Sequence, residues 1–455
     1  MSKQDLNGGA SGPAAGEKSG ERFSSLGFIM SAIGSAIGLG NLWKFPYITG
    51  IYGGAAFVLL FIICLIIVGM PVLLAEMAIG RAGRGNASTS FLNLSGSKRW
   101  SFFGFLGVFG SFMITSFYSV IAGWTLHYAL SSFTGALYKG TDYAVQFQTF
   151  TSGYSPIAWQ FLILGLSGWV IARGVSGGIE KFNKVLIPAL AVVLLILMAR
   201  ALTLPGAGAG IEFFLKPDFS KLTGESALVA LGQAFFSMSV GMGVMITYGS
   251  YVKKEQSLGK ATVAVTGGNL LYALIAGLIV FPTTFSFGLE PAQGPGLVFV
   301  VLPAAFSSMP LGAAFGGLFF ILLAIAAFTS ILSLLEVPVA FAMDRWKWSR
   351  LKATSWTTAV CFIVGVPSAL SVGGVLSNFK IGGKTVFDSL DFVTSNILLP
   401  IGGLVVTLFI AYASKRAMEE AGLKGTLLRV WVFLLRIVIP PLIVLIFLYS
   451  VGIIS

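Results

Sequence analysis

Glycine, asparagine and lysine meet in one short apolar stretch, Gly34 to Pro46, which reads G-S-A-I-G-L-G-N-L-W-K-F-P. Glycine weakens a helix interior by roughly 1 kcal/mol relative to alanine. Here Gly34, Gly38, Gly40 and Gly50 follow one another inside a segment apolar enough to cross a bilayer. Such a helix is expected to break at mid-membrane. Lipid cannot satisfy the backbone N–H and C=O groups that a break sets free. Freed carbonyls suit a hard cation such as Na⁺, and freed N–H groups suit a carboxylate. The chemistry implied is the binding of an ion and a small ligand.

A second interruption falls at Gly232 to Tyr251, G-Q-A-F-F-S-M-S-V-G-M-G-V-M-I-T-Y-G-S-Y, with Ser237, Ser239, Gly241 and Gly243 at its middle. Interrupted helices at corresponding positions of two halves are the best sequence pointer to a transporter site at a repeat interface. Small residues also occur in membrane helices simply to allow close packing, which explains one such helix more readily than two in register. Asn41, Asn269, Ser237, Thr329 and Ser330 supply neutral oxygens within apolar runs. Taken singly, each is as well read as a packing hydroxyl or amide.

Ionisable residues inside a span cost roughly 2.5–3.5 kcal/mol at its centre and are functional candidates. Glu76 is placed to meet backbone N–H groups freed by a break; the blander reading, favoured here, is a structural helix-to-helix hydrogen bond, and Glu336 has the same status. Lys44 and Asp391 lie where a salt bridge would close an outer mouth. Arg22 and Asp344 lie where one would close an inner mouth. Gly178 and Pro188 bracket I-E-K-F-N-K-V-L-I, where a helix start could unwind or merely kink.

These residues need a membrane scaffold to position them. Of the 455 residues 56% are hydrophobic and 10% charged, against about a quarter charged in soluble domains. About eleven apolar runs reach the ~20 residues that span a bilayer. They fall near 24–49, 54–79, 101–133, 156–173, 179–202, 226–250, 260–288, 311–343, 354–373, 388–413 and 427–454. Basic residues gather in alternate connections, among them Arg81, Arg84, Lys98, Arg99, Lys253, Lys254, Arg345, Lys347, Arg350 and Lys352. The other connections hold only Lys139, Arg200, Lys216, Lys221, Lys380 and Lys384. By the positive-inside rule the N-terminus is expected in the cytoplasm and the C-terminus outside. The rule also accounts for the net charge of +12 without nucleic acid. The segments 133–155, 204–225, 291–309 and 372–387 read as polar surface loops capping an outer vestibule. Residues 1–23 read as a polar cytoplasmic tail with no signal peptide. Cys64 and Cys361 read as small buried side chains and His127 as a hydrogen-bonded helix-face residue, with no metal or disulfide framework.

The motifs carry a resemblance. Gly34 to Pro46 closely resembles the first-helix motif of the neurotransmitter:sodium symporters, and G-Q-A-F-F-S-M-S-V-G-M-G resembles their sixth helix. G-N-L-L-Y-A-L-I-A-G-L-I-V-F at Gly268 to Phe281 resembles their seventh, and A-A-F-T-S-I-L-S-L-L-E at Ala326 to Glu336 their eighth. The resemblance implies an all-α polytopic membrane protein with two inverted five-helix repeats, at 24–202 and 203–413. The cytoplasmic loop and eleventh helix, 414–455, would follow them. It implies Na⁺-coupled uptake of amino acids or related amines by alternating access, in the bacterial plasma membrane.

By position, one sodium would meet the Ala36 carbonyl, Asn41, Ser237, Asn269 and the substrate carboxylate. A second would meet the Gly34, Ile37 and Ala326 carbonyls with Thr329 and Ser330. The substrate carboxylate would meet the Leu39 and Gly40 N–H groups and the Tyr118 hydroxyl, and the ammonium the carbonyls near Ala36 and Phe236. Ile114, Phe236, Ser239, Met242, Ser330 and Leu334 would line the side-chain pocket, with Phe236 as its lid. Lys44 with Asp391 resembles the outer gate; Arg22, Tyr251 and Asp344 resemble the inner one.

The chain also departs from the family pattern. Chloride-dependent members share a tyrosine in helix two and a serine in helix seven, and many chloride-independent ones place an acid at the latter position. The matching residues here are Phe61 and Ala273, although Gln233 and Ser237 remain. The resemblance therefore carries no expectation of chloride dependence or of proton exchange at that site. A tryptophan near residue 22 is missing, and Phe23 stands in its place. Where amine transporters share an aspartate this chain has Gly38, which favours a substrate with its own carboxylate. Met242 between Gly241 and Gly243 gives an adaptable floor, so neutral apolar amino acids are expected, up to aromatic size. A proton-coupled permease of the same architecture is the alternative. A membrane-embedded enzyme or a channel lacks the residues it would need. Oligomeric state is left open.

Overall fold

The computed structural model describes residues 22–140, 142–289 and 296–453. Most of the expected N-terminal tail and the start of the 291–309 connection lie outside the described residues. Among the described residues the chain is helical throughout, with a single isolated bridge pair, Ile381 and Lys384, in a surface turn.

Among the described residues nine helices are long and apolar enough to cross a membrane: Ala55–Gly83, Lys98–Phe133, Ser155–Ala172, Val175–Leu202, Leu258–Ser286, Gly312–Trp346, Arg350–Ser371, Val386–Ala413 and Gly425–Ser450. They coincide with nine of the predicted spans to within a few residues. The other two spans, the first and the sixth, are each broken. Span one is Ser25–Ala36 followed by Gly40–Ile51, bent by 55°. Span six is Gly224–Ser237 followed by Val244–Ser250. Span eight runs beside span three through the middle of the bundle, and the two broken spans meet there.

Some expectations need correction. Three of the four loops contain helices: Tyr143–Ser152, Ala207–Leu215 and Leu297–Ser307. The last is no polar cap. Leu297, Val298, Phe299 and Leu302 are buried, and Phe299 stacks on Phe147 at 5.6 Å and meets Trp124 edge-on at 5.7 Å. Its L-V-F-V-V run was too short to read as a span, and so read as part of a loop. A further helix, Ala87–Ser95, links spans two and three and is capped by the Asn86 side chain, which accepts from the Thr89 N–H at 3.1 Å. Span five is wound at Gly178 in this structure: it starts with a π-helical turn, Val175–Glu180, and runs on through Pro188. His127 stacks on Phe150 at 4.1 Å, so its partner is a ring. Cys361 is a buried free thiol as expected, but Cys64, also free, is only half-buried.

Candidate functional site at the two helix breaks

Span one stops because Ile37 leaves helical geometry (φ −83°, ψ 83°). The Gly38 N–H turns back to the Ala36 carbonyl at 3.1 Å, and the chain re-enters a π-helical turn at Gly40. In span six the break holds three residues at positive φ: Ser239 (53°), Gly241 (88°) and Gly243 (74°). A non-glycine residue held there stores strain of order 1–3 kcal/mol and persists only when its surroundings fix it. Ser239 is fixed by its hydroxyl, which donates to the Ser35 carbonyl at 2.9 Å. Ser330 of span eight reaches the same carbonyl at 3.5 Å. One backbone oxygen freed by the first break thus ties both breaks to span eight.

Glu76 belongs to this arrangement, so the structural helix-to-helix reading gives way to the other one. Its fully buried carboxylate accepts the Gly241 N–H at 2.6 Å. It meets a backbone group that the break in span six leaves without a helical partner.

Two groups of oxygens flank the breaks. In the first, the Asn41 and Asn269 amides touch at 2.5 Å, and Asn41 lies 3.5 Å from the Ala36 carbonyl. Turned as its neighbours favour, the Asn269 amide lies 3.1 Å from the Ala36 carbonyl and 3.3 Å from both Ser237 oxygens. The buried Asn41 Oδ1 finds no partner among the described residues. A buried orphan acceptor requires an explanation, and a cation among neutral oxygens is one. In the second group, Thr329 Oγ1 donates to the Ala326 carbonyl at 3.1 Å. Gly34 lies against Thr329, since a Cβ on Gly34 would stand 3.2 Å from the Thr329 Cβ. Ile37 follows the last helical residue, and Ser330, next to Thr329, reaches the Ser35 carbonyl beside Gly34. Every oxygen in both groups is neutral, and both sets fit a monovalent hard cation carried as cargo.

Between the oxygen groups and Phe236 lies a cavity of about 40 Å³. Ser35, Ala36, Gly38, Gly40, Asn41, Tyr118, Ser237, Ser239 and Ser330 give it polar walls, while Ile114, Phe236, Met242 and Leu334 give it apolar ones. Leu39 is not among them. Its N–H donates to the Tyr118 hydroxyl at 3.0 Å, so that amide is engaged and the hydroxyl proton faces elsewhere. Gly38 lies in the wall, at the position where amine transporters share an aspartate; Ser35, inside the same motif, was not expected there, and the bend brings it to the wall. Phe61 and Ala273 are fully buried, and Gln233 donates to the Gly40 carbonyl at 3.3 Å.

A second cavity, about 280 Å³, lies beyond Phe236 and shares Gly40, Tyr118 and Phe236 with the first. Lys44 and Asp391 both line it, but no ion pair joins them among the described residues. Lys44 Nζ sits 4.7 Å over the Phe236 ring, and Asp391 accepts from Ser395 at 2.9 Å. At the opposite end, the Tyr251 hydroxyl donates to Glu336 at 2.7 Å, not to Asp344. Glu336 also pairs with Arg350 at 2.9 Å, and Asp344 accepts from the Asn86 amide at 2.7 Å. Phe23 is fully buried, with its ring against Tyr248 and Tyr251 and its N–H donating to the Tyr251 carbonyl at 3.2 Å. Arg22 is half-buried beside it.

Gly40 carries the first test. A Cβ there would stand 2.5 Å from a Phe236 ring carbon. Gly40→Ala is expected to displace the ring and weaken ligand binding roughly tenfold. The check is a ligand titration beside a thermal melt, and an unchanged affinity would mean that Phe236 does not cover the ligand.

The model of the sodium:neurotransmitter symporter family matches residues 21–146 and 141–454. A Bacillus subtilis protein named as the uncharacterized sodium-dependent transporter YhdH is 39% identical over 442 residues, 95% of this chain and 98% of its own length. An uncharacterized sodium-dependent transporter of Haemophilus influenzae is 37% identical over 440 residues, 93% and 96% of the two chains. The crystal structure of MhsT in complex with L-phenylalanine superposes with a TM-score of 0.88 at 44% identity, covering 94% of this chain and 99% of that one. The chain therefore belongs to the sodium:neurotransmitter symporter family and is a multi-pass, sodium-coupled secondary transporter, not an enzyme.

Proposed function

We propose that this transporter imports neutral hydrophobic amino acids together with Na⁺ by alternating access. It would sit in a bacterial plasma membrane with its N-terminus cytoplasmic and its C-terminus outside. The observation that carries the reading is the small cavity at the two breaks. Its walls offer the Tyr118 hydroxyl and Asn41, which touches Asn269, together with the apolar side chains of Ile114, Phe236, Met242 and Leu334. A carboxylate at the polar groups would meet the Tyr118 proton and complete the first sodium shell. The ammonium would meet carbonyls near Ala36 and Phe236, and an apolar side chain would pack against the apolar ones. The relative crystallised with L-phenylalanine supports an aromatic-sized ligand.

Two inverted repeats, 24–202 and 203–413, would rock about this point. Phe236 would separate the ligand from the outer cavity, and Phe23, Tyr251 and Glu336 would seal the inner side. Lys44 and Asp391 would be drawn together when the outer side closes. Each Na⁺ moving inward gains about 2.3 kcal/mol per 100 mV of membrane potential, which is enough to concentrate a neutral substrate. Ala273 offers no carboxylate to a counter-transported proton and no hydroxyl to chloride.

The test is binding of phenylalanine, leucine, glycine and tyramine to purified protein in NaCl, sodium gluconate and choline chloride. Binding that needs Na⁺ but not chloride, favours phenylalanine or leucine and ignores tyramine is the expected result. Binding indifferent to Na⁺ would favour the proton-coupled alternative, and competition by glycine alone would overturn the pocket assignment.

A further inference from the structure

Span five carries an amide that the site as described does not use. Asn183 is fully buried. Its Nδ2 donates to the Ile179 carbonyl at 2.8 Å, and its Oδ1 finds no partner among the described residues. That oxygen points at Gly34: a Cβ there would lie 2.6 Å from Asn183 Oδ1 and 3.2 Å from the Thr329 Cβ. Cα–Cβ bonds tilt toward the N-terminus of a helix, whereas the Gly34 carbonyl points toward its C-terminus. Asn183 Oδ1 therefore lies on the N-terminal side of the oxygens around Gly34 and Thr329, the cytoplasmic side in the proposed orientation.

The seam continues in that direction. Gly27, Ser31 and Gly34 are spaced to share one face of span one. A Cβ on Gly27 would run into Glu180 of span five, so this face meets span five at both ends. Ser31 Oγ is buried between them without a partner among the described residues. At the foot of the seam the Glu180 carboxylate accepts the Ser24 N–H at 2.9 Å and the Ser24 hydroxyl at 2.6 Å, and it pairs with Lys184. Polar groups thus recur at about one-turn intervals, from Thr329 through Asn183 and Ser31 to Ser24 and Glu180, along an otherwise apolar interface.

We infer that Asn183 is the residue that receives the second sodium as it leaves toward the cytoplasm: its amide oxygen replaces shell oxygens lost when span one moves. It is a ligand of the departing ion, not part of the resting shell. The inference rests on the proposed sodium site and orientation.

The test uses Asn183→Leu, which keeps the branched shape and removes the oxygen, and Asn183→Ser, which keeps an oxygen. Both are reconstituted in liposomes. Net Na⁺-driven phenylalanine uptake by Asn183→Leu should fall roughly tenfold, with partial recovery in Asn183→Ser. Exchange of labelled for unlabelled phenylalanine with high Na⁺ on both sides needs no sodium release. It should stay within about twofold of the native rate, as should the Na⁺ midpoint of equilibrium binding. Net uptake unchanged in Asn183→Leu would overturn the inference. So would a Na⁺ midpoint moved about fivefold or more, which would make Asn183 a ligand of the resting ion. Equal loss of uptake and exchange in both variants would show a structural role and overturn it as well. Native protein that binds phenylalanine without Na⁺ would instead sink the function proposed above.

Discussion

Tyr118→Phe is expected to weaken amino-acid binding roughly a hundredfold at saturating Na⁺. The substitution keeps the ring, its volume and its burial, so the pocket retains its shape. It removes the hydroxyl that accepts the Leu39 N–H at 3.0 Å, leaving that amide unpaired beside the cavity. It also removes the proton that would meet the substrate carboxylate. A hydrogen bond to a charged group contributes about 1.5–3 kcal/mol, and an orphaned buried donor costs about 1–3 kcal/mol. The loss at Leu39 is present with or without ligand, so affinity reports mainly the carboxylate term. Calorimetric titration with phenylalanine is the measurement. A change below about threefold would mean that the carboxylate lies elsewhere in the cavity.

Glu76→Ala is expected to lower thermal stability more than any substitution in the cavity wall. The carboxylate is fully buried and accepts the Gly241 N–H at 2.6 Å inside the break of span six. Removing it strands that N–H and opens a cavity, together worth about 3–5 kcal/mol. Glu76→Gln keeps an acceptor of the same reach and should recover much of the loss. A melt followed by fluorescence-detected size exclusion, run with and without phenylalanine and Na⁺, reads both variants. If Glu76→Gln were as unstable as Glu76→Ala, the negative charge itself would be the stabilising element. If neither changed the melt, the break would be held by Ser239 and Ser330 alone.

The spans were legible because the bilayer imposes one length and one composition on all of them. Both breaks were legible too, since glycine and serine clusters contradict that composition at Gly38 and Ser239. Contacts depending on which way a side chain turns were not. Lys44 faces Phe236 instead of Asp391, and at the inner mouth Asp344 accepts from Asn86 while Tyr251 reaches Glu336. Sequence offered the charged residues of each mouth but not the side-chain orientations that choose their partners. Asn183 was passed over for a related reason. Inside a helical run an amide looks ordinary, and only its orientation toward Gly34 singles it out. The helix Leu297–Ser307 was hidden by its length, although its burial makes it as apolar as a span.

Ser330 has a single hydroxyl proton. It reaches the Ser35 carbonyl, lines the ligand cavity and borders the second oxygen group. If sodium occupies its lone pairs, that proton must point toward the carbonyl or the cavity. The hydroxyl then reads two inputs at once, and its orientation is settled only when both are present. In the proposed cycle this makes the carrier a logical AND element. Ion without cargo, or cargo without ion, would then leave the junction undecided, and a carrier built this way would not dissipate the membrane's sodium gradient in idle cycles.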